Sequence, residues 1–151
     1  MDNESVSPFL TILFMLLFPV GFALIWSGVI FLLAWISGWR RLARTYRSAT
    51  APSGQAIGGF WAMIGPVSYR GVLTIRAAPA GLFLSVMVLF RLGHPPLLIP
   101  WSVIRGQGAP QGFLTKWLLF DLGDPKCTTL RVPARQADEE VLARYLGLTL
   151  R

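Results

Sequence analysis

The feature that most constrains this chain is the run from Phe9 to Ile36, 28 residues without Asp, Glu, Lys, Arg or His. The hydrocarbon core of a bilayer is about 30 Å thick and is crossed by roughly 20 apolar residues in a helix. This run is longer than that minimum, which leaves residues for tilt. It therefore predicts one transmembrane helix.

The composition of the 151 residues supports the same interpretation. Hydrophobic residues make up 54% of the chain and charged residues 14%, whereas soluble proteins have about 45 to 50% and about 25%. After the apolar run, room remains for one small domain of ordinary size. We expect an anchor followed by a single domain.

The charges on the two sides of the run differ. The preceding segment, residues 1–8, has two acidic residues and no base, unlike a cleavable signal peptide, so we expect the helix to be retained. Four arginines follow between residues 40 and 47. The positive-inside rule then predicts a single-pass protein of the cytoplasmic (inner) membrane, with residues 1–8 as an extracytoplasmic tail and the remainder in the cytoplasm.

The stretch SGWRRLARTYR, residues 37–47, has helical periodicity, with an apolar stripe and arginines beside it. It predicts that the helix continues to residue 47 as an amphipathic extension at the bilayer surface, in contact with membrane lipids. A dedicated headgroup or partner site is the alternative. Nucleic acid is disfavoured despite the net charge of +7, since aromatic and basic residues do not alternate over a groove-sized surface. The predicted membrane-interface residues are Trp35, Trp39, Arg40, Arg41, Arg44, Tyr46 and Arg47.

Residues 48–56 are small and polar, which is typical of a linker, and residues 57–151 form the predicted domain. Apolar and β-branched segments recur at about ten-residue intervals between Gly and Pro turns. They predict six strands, in an α+β, mainly β, domain built as a small antiparallel barrel or sandwich. The segment ADEEVLARYLG near the end predicts one closing helix. The predicted strands are residues 57–64, 69–77, 81–90, 96–104, 113–123 and 127–133.

With this order of elements, and with the segments GLFLSV and LLIPWSVI, the chain resembles bacterial pleckstrin-homology-like (PH-like) domains. In the second segment, Trp101 and Ile104 match the W-x-x-I pattern of a strand in that family. The chain is also similar to small bacterial membrane proteins with a GW-x-x-LA-x-x-YR junction, which begins here at Gly38. The resemblance implies a binding or scaffold role and brings no catalytic residues.

Residues 81–90 do not alternate between apolar and polar as a half-exposed strand does. A second membrane helix is one explanation, but Arg91, His94 and the prolines that follow disfavour it. A strand buried on both faces, or one with its outer face on the membrane or a partner, explains the pattern better.

Residues suited to chemistry are few. Cys127 and the single histidine, His94, are expected to be structural, and Asp121 and Asp124 are expected to be turn residues. Catalysis needs a nucleophile with a base, paired carboxylates or a metal cage. We therefore predict no catalytic residues, no metal and no cofactor.

These observations favour a membrane-anchored, non-catalytic interaction module or accessory subunit, with another membrane protein or complex as partner. The alternative is recognition of an anionic lipid or small ligand, because the chain after Ser48 has 10 basic against five acidic residues. An enzyme using Cys127 or His94 is a remote third possibility. The predicted partner-binding residues are Arg91, His94, Leu97, Leu98 and Trp101.

Overall fold

The computed structural model describes residues 7–57, 61–107, 117–133 and 136–146. Within these residues, an N-terminal helix, α1 (Pro8–Ile36), is followed by a short helix, α2 (Trp39–Tyr46), then by nine strands and by a C-terminal helix, α3 (Gln136–Leu146). The strands are β1 (Gln55–Ile57), β2 (Trp61–Ile64), β3 (Val67–Arg70), β4 (Leu73–Ala78), β5 (Gly81–Val86), β6 (Leu97–Ile99), β7 (Ile104–Gln107), β8 (Trp117–Leu122) and β9 (Thr128–Pro133).

Helix α1 is long and apolar enough to cross a membrane. Its 29 residues extend over about 43 Å at roughly 1.5 Å per residue. Its side chains are exposed over the first three turns and beyond, and within α1 only Ile30 and Ala34 are buried. The last turns of α1 therefore pack against the rest of the protein, whereas the others do not.

The predicted continuous helix to residue 47 is interrupted at Ser37 and Gly38. Gly38 adopts a left-handed conformation, with φ of 79°, and the Thr128 hydroxyl donates a 2.7 Å hydrogen bond to the Ser37 carbonyl. This bond satisfies a carbonyl at the end of α1 that would otherwise lack a partner. The chain turns here, and α2 enters the domain.

The strands described form two antiparallel sheets and do not close into a barrel. The first has the order β1-β4-β5-β6 and the second the order β3-β2-β9-β8-β7. In the first sheet, β5 pairs with β4 along its length and with β6 through Leu82 to Leu84. A mainly β domain with a C-terminal helix is thus confirmed.

Three of the six predicted strands are each divided into two. Residues 69–77 divide at Gly71, which has a φ of 69°, so β3 lies in the second sheet and β4 in the first. Residues 96–104 divide at Pro100. Proline has no backbone N–H to donate to a neighbouring strand, and Pro100 directly precedes a short 3-10 turn. Residues 57–64 give β1 and β2, and residues 58–60 between them lie outside the described chain.

Strand β5 is buried on both faces, as one interpretation of residues 81–90 expected. The strand ends at Val86, however, and residues 88–90 form a 3-10 turn. No second membrane span is present among the residues described. Strand β1 begins at Gln55, inside the predicted linker.

The hydrophobic core lies between the two sheets and includes residues from every part of the fold. Helix α2 contributes Trp39 and Leu42, both fully buried, and α3 contributes Val141 and Leu142. The rings of Tyr145 and Trp101 stack in parallel with centroids 4.9 Å apart. The core therefore joins α2, both sheets and α3. Gly147, the last residue of the segment that predicts α3, lies outside the described residues.

Candidate functional site

The most distinctive part of the structure is the junction between α1 and the domain. The loop between β5 and β6, residues 87–96 and hereafter the β5–β6 loop, lies beside the C-terminal half of α1. The ring of Phe90 packs on that of Trp26 at a centroid distance of 5.5 Å. A Cβ at Gly93, which has a φ of 79°, would be 3.0 Å from a Phe31 ring carbon. Gly93 permits this close approach of loop and helix.

Beneath the loop, Trp39, Tyr69 and His94 form a buried aromatic cluster. The ring centroids of Trp39 and His94 are 5.1 Å apart with an edge-to-face geometry, and those of Tyr69 and His94 are 5.7 Å apart. The indole Nε1 of Trp39 donates to the Pro95 carbonyl at 2.9 Å. The cluster therefore attaches α2 to both β3 and the β5–β6 loop.

The contacts of His94 fit the neutral tautomer with the hydrogen on Nδ1. Nδ1 lies 3.4 Å from the Leu92 carbonyl, which can only accept, so we assign the hydrogen to Nδ1. Nε2 then accepts from the Tyr69 hydroxyl at 2.9 Å. Burial lowers the pKa of His94 below its ordinary 6.5 and raises the pKa of Tyr69 to about 12. Both side chains are therefore uncharged at neutral pH.

The lowered pKa of His94 makes the stability of the fold depend on pH. The unfolded chain protonates His94 near pH 6.5, whereas the folded chain does so only at lower pH, so the free energy of unfolding falls as the pH drops below about 6.5. We expect this decrease in denaturant titrations of the full chain in detergent micelles between about pH 7.5 and pH 5.5. Since the chain has one histidine, His94→Gln removes the slope. A wild-type stability that stays constant over this range would contradict the assignment.

A cavity of about 430 Å³ lies between α1 and the domain. This volume is within the range of roughly 300 to 1,000 Å³ typical of small-ligand sites. Arg70 is at its edge, with the guanidinium 4.9 Å from the centre of the Trp61 ring. The remaining lining is Ile30, Leu33, Val67, Ser68, Tyr69, Val72, Phe90 and His94. The walls are mainly apolar, so the cavity suits a hydrocarbon chain better than a polar metabolite.

The predicted membrane-interface residues occupy two environments. Trp35 is exposed on α1, Tyr46 is half-buried, and Arg40, Arg41, Arg44 and Arg47 are exposed. Trp39 is fully buried in the domain core, where it has no surface for lipid. The sequence places Trp39 beside the arginines, but the fold turns it inward at Gly38.

The predicted partner-binding residues are similarly divided. Arg91 is exposed, and Leu98 and Trp101 are half-buried. Leu97 and His94 are buried in the core, at 0% and 2% exposure. The Trp101 Nε1 donates to the Ala78 carbonyl at 2.8 Å, so this indole is fixed in position. Only Arg91, Leu98 and Trp101 retain surface for a partner.

The side chains considered for chemistry have structural contacts. Lys126 pairs with Asp121 at 2.7 Å, and Asp124 lies 3.9 Å from Arg105. The Cys127 Sγ lies 3.4 Å from the Pro125 carbonyl. Within the part of the chain described, no three His, Cys, Asp or Glu side chains are grouped to hold a metal.

The sequence reasoning missed one group of surface residues. Met87, Val88, Leu89 and Leu92 are 56%, 76%, 64% and 47% exposed. Three of them lie in the mainly apolar segment 81–90, for which the sequence favours a strand over a second membrane helix, and Leu92 follows that segment. Hereafter these four residues are called the apolar tip. It is the largest set of exposed apolar side chains in the described part of the chain outside α1.

Comparisons with protein families, with curated proteins and with solved structures found no match to this chain.

Proposed function

We propose that this chain is a single-pass protein of the cytoplasmic (inner) membrane that holds a PH-like, non-catalytic domain at the cytoplasmic surface. There it serves as an interaction module or accessory subunit of a membrane protein complex. The main observation in support of the proposal is the hydrophobic core that the anchor shares with the domain. Since Ala34 of α1 and Trp39 of α2 belong to one buried core with both sheets, the domain is fixed relative to the anchor and presents a constant face to neighbouring proteins.

The charges support the orientation in the proposal. Arg40, Arg41 and Arg44 are exposed on α2, directly after α1, and residues 1–8 have no basic side chain. Basic residues at the end of a span favour the cytoplasmic side. The order of two antiparallel sheets followed by one helix is compatible with a PH-like domain.

The partner surface in this proposal is the outer face of the first sheet near Leu98. Leu98 pairs with Phe83, and Phe83 pairs with Arg76, so these three side chains share one face. Arg76 is exposed and Leu98 is half-buried. An apolar side chain beside a positive charge suits a protein partner with an acidic rim.

Photo-crosslinking in native membranes tests this function. A photoreactive amino acid replaces Leu98 in the full chain, and the control places it at Arg131, which is exposed on the second sheet. We expect one defined protein adduct at Leu98 and none at Arg131.

Thiol labelling tests the orientation. In the same cells, a membrane-impermeant thiol reagent should label Ser5→Cys but not Thr50→Cys. The absence of a protein adduct at Leu98, or the reverse labelling, would contradict the proposal.

A second candidate function is recognition of an anionic lipid. The cavity favours it, because its apolar wall is formed partly by Ile30 and Leu33 of α1 and its edge includes Arg70. The acyl chain of a phospholipid would lie along this wall, and the phosphate of its headgroup would lie near the guanidinium. Stoichiometric lipid in place of a protein partner after mild extraction would favour this second function.

A further inference from the structure

We infer that the apolar tip of the β5–β6 loop inserts into the lipid bilayer beside α1 and forms a second membrane contact. The inference rests on the proposed function in one respect, namely that α1 spans a membrane. It goes beyond that function by assigning a lipid-binding surface to residues of the β domain itself.

The first observation is exposure. Met87, Val88, Leu89 and Leu92 are all at least 47% exposed, and Val88 and Leu89 lie on one 3-10 turn at the end of β5. Contiguous exposed apolar side chains of this size usually mark a protein or membrane contact. The backbone N–H groups of Phe90 and Arg91 are bonded within the turn, so the tip has a defined conformation.

The second observation is depth along α1. Phe90 contacts Trp26, which lies roughly 27 Å along the helix from Pro8 at about 1.5 Å per residue. A hydrocarbon core about 30 Å thick that began at Pro8 would still include Trp26 near its boundary. Every placement of the span closer to Arg40 puts Trp26 deeper. The tip is therefore at the level of the bilayer boundary or within it.

Continuity and charge identify lipid as the occupant. The tip adjoins α1 through Phe90, so its apolar surface continues the apolar surface of the helix. Arg91 is exposed next to the tip, and its Nε is 3.4 Å from the Val86 carbonyl. The exposed arginines of α2 follow α1 by a few residues. An apolar tip with Arg91 beside it suits acyl chains at the tip and headgroup phosphates at the guanidinium.

Depth-dependent fluorescence quenching tests the inference with the full chain in phosphatidylethanolamine and phosphatidylglycerol vesicles. Single cysteines in a Cys127→Ala background receive an environment-sensitive label, and nitroxide lipids act as quenchers. Val88→Cys reports the tip. Ala80→Cys, exposed at the opposite end of β5, is the matched control, and Ile25→Cys reports insertion of α1 itself.

We expect strong quenching at Ile25 and Val88 by nitroxides near the top of the acyl chain and none at Ala80. Quenching at Ile25 but not at Val88 would overturn the loop contact while leaving the anchor intact. No quenching at Ile25 would instead overturn the membrane span on which the inference rests. Equal quenching at Val88 and Ala80 would also overturn it, because the tip would not be distinguished from the rest of the domain.

A protein partner on the tip would give a different result. The Val88 label would then be exposed to water in vesicles and become protected only in native membranes. That outcome would replace lipid by protein as the occupant and would overturn the inference. Circular dichroism of each labelled variant establishes that the domain is folded.

Discussion

Replacing Trp39 by alanine is expected to remove about 3 to 5 kcal/mol from the free energy of unfolding, the usual cost of truncating a buried aromatic side chain. Trp39 is 0% exposed, its ring contacts those of Tyr69 and His94, and its Nε1 donates to the Pro95 carbonyl. Truncation leaves a cavity and a carbonyl without its donor. Denaturant titration of the full chain in micelles, followed by near-ultraviolet circular dichroism, measures the loss.

Trp35 provides a matched control four residues away. It is 65% exposed at the end of α1, so Trp35→Ala is expected to leave the domain's stability nearly unchanged. Trp39→Phe keeps most of the apolar volume and loses the hydrogen bond, at a cost of about 1 to 2 kcal/mol. Equal effects at Trp35 and Trp39 would contradict the placement of Trp39 in the core.

Substituting Gly38 by alanine is expected to lower stability by at least about 2 kcal/mol. A left-handed conformation costs an alanine about 1 to 2 kcal/mol, and the added Cβ would be 3.0 Å from the Thr128 Cβ and 3.2 Å from the Cys127 carbonyl oxygen. Cys127 and Thr128 must therefore shift away by a few tenths of an ångström. The same near-ultraviolet titration measures this effect, because it reports aromatic packing in the domain.

Gly28 is the control for Gly38. A Cβ added there meets no atom within 4 Å, and alanine is a better helix former than glycine. Gly28→Ala should therefore leave stability unchanged or raise it slightly. A Gly38→Ala variant as stable as Gly28→Ala would show that the turn at the end of α1 does not require a left-handed residue.

The sequence predicted the elements that depend on a pattern of neighbouring residues. The uncharged run predicted helix α1. The helical spacing of Val141, Leu142 and Tyr145 predicted α3, and these residues are buried or half-buried in the structure. The existence of the strands was predicted, but three were divided. Gly71 and Pro100 are compatible with a turn or with an edge strand, and only the pairing of distant strands decides between them.

The junction could not be predicted, because its determinants are far apart in the chain. Trp39 among arginines is typical of a membrane interface, and nothing near it in sequence indicates that Tyr69 and His94 surround it. The apolar tip was misinterpreted for a related reason. A mainly apolar segment has the same sequence pattern in a strand buried on both faces and in a loop exposed to lipid.

The hydrogen bond from Thr128 to Ser37 joins residues 91 positions apart. This separation has a consequence for how the chain folds during its synthesis. Trp39 and Leu42 leave the ribosome well before Leu130 and Val132 of β9, which belong to the same core. Contacts this distant in sequence form slowly. Until β9 has been made, the apolar side chains of Trp39 and Leu42 therefore lack part of the core that encloses them in the folded protein.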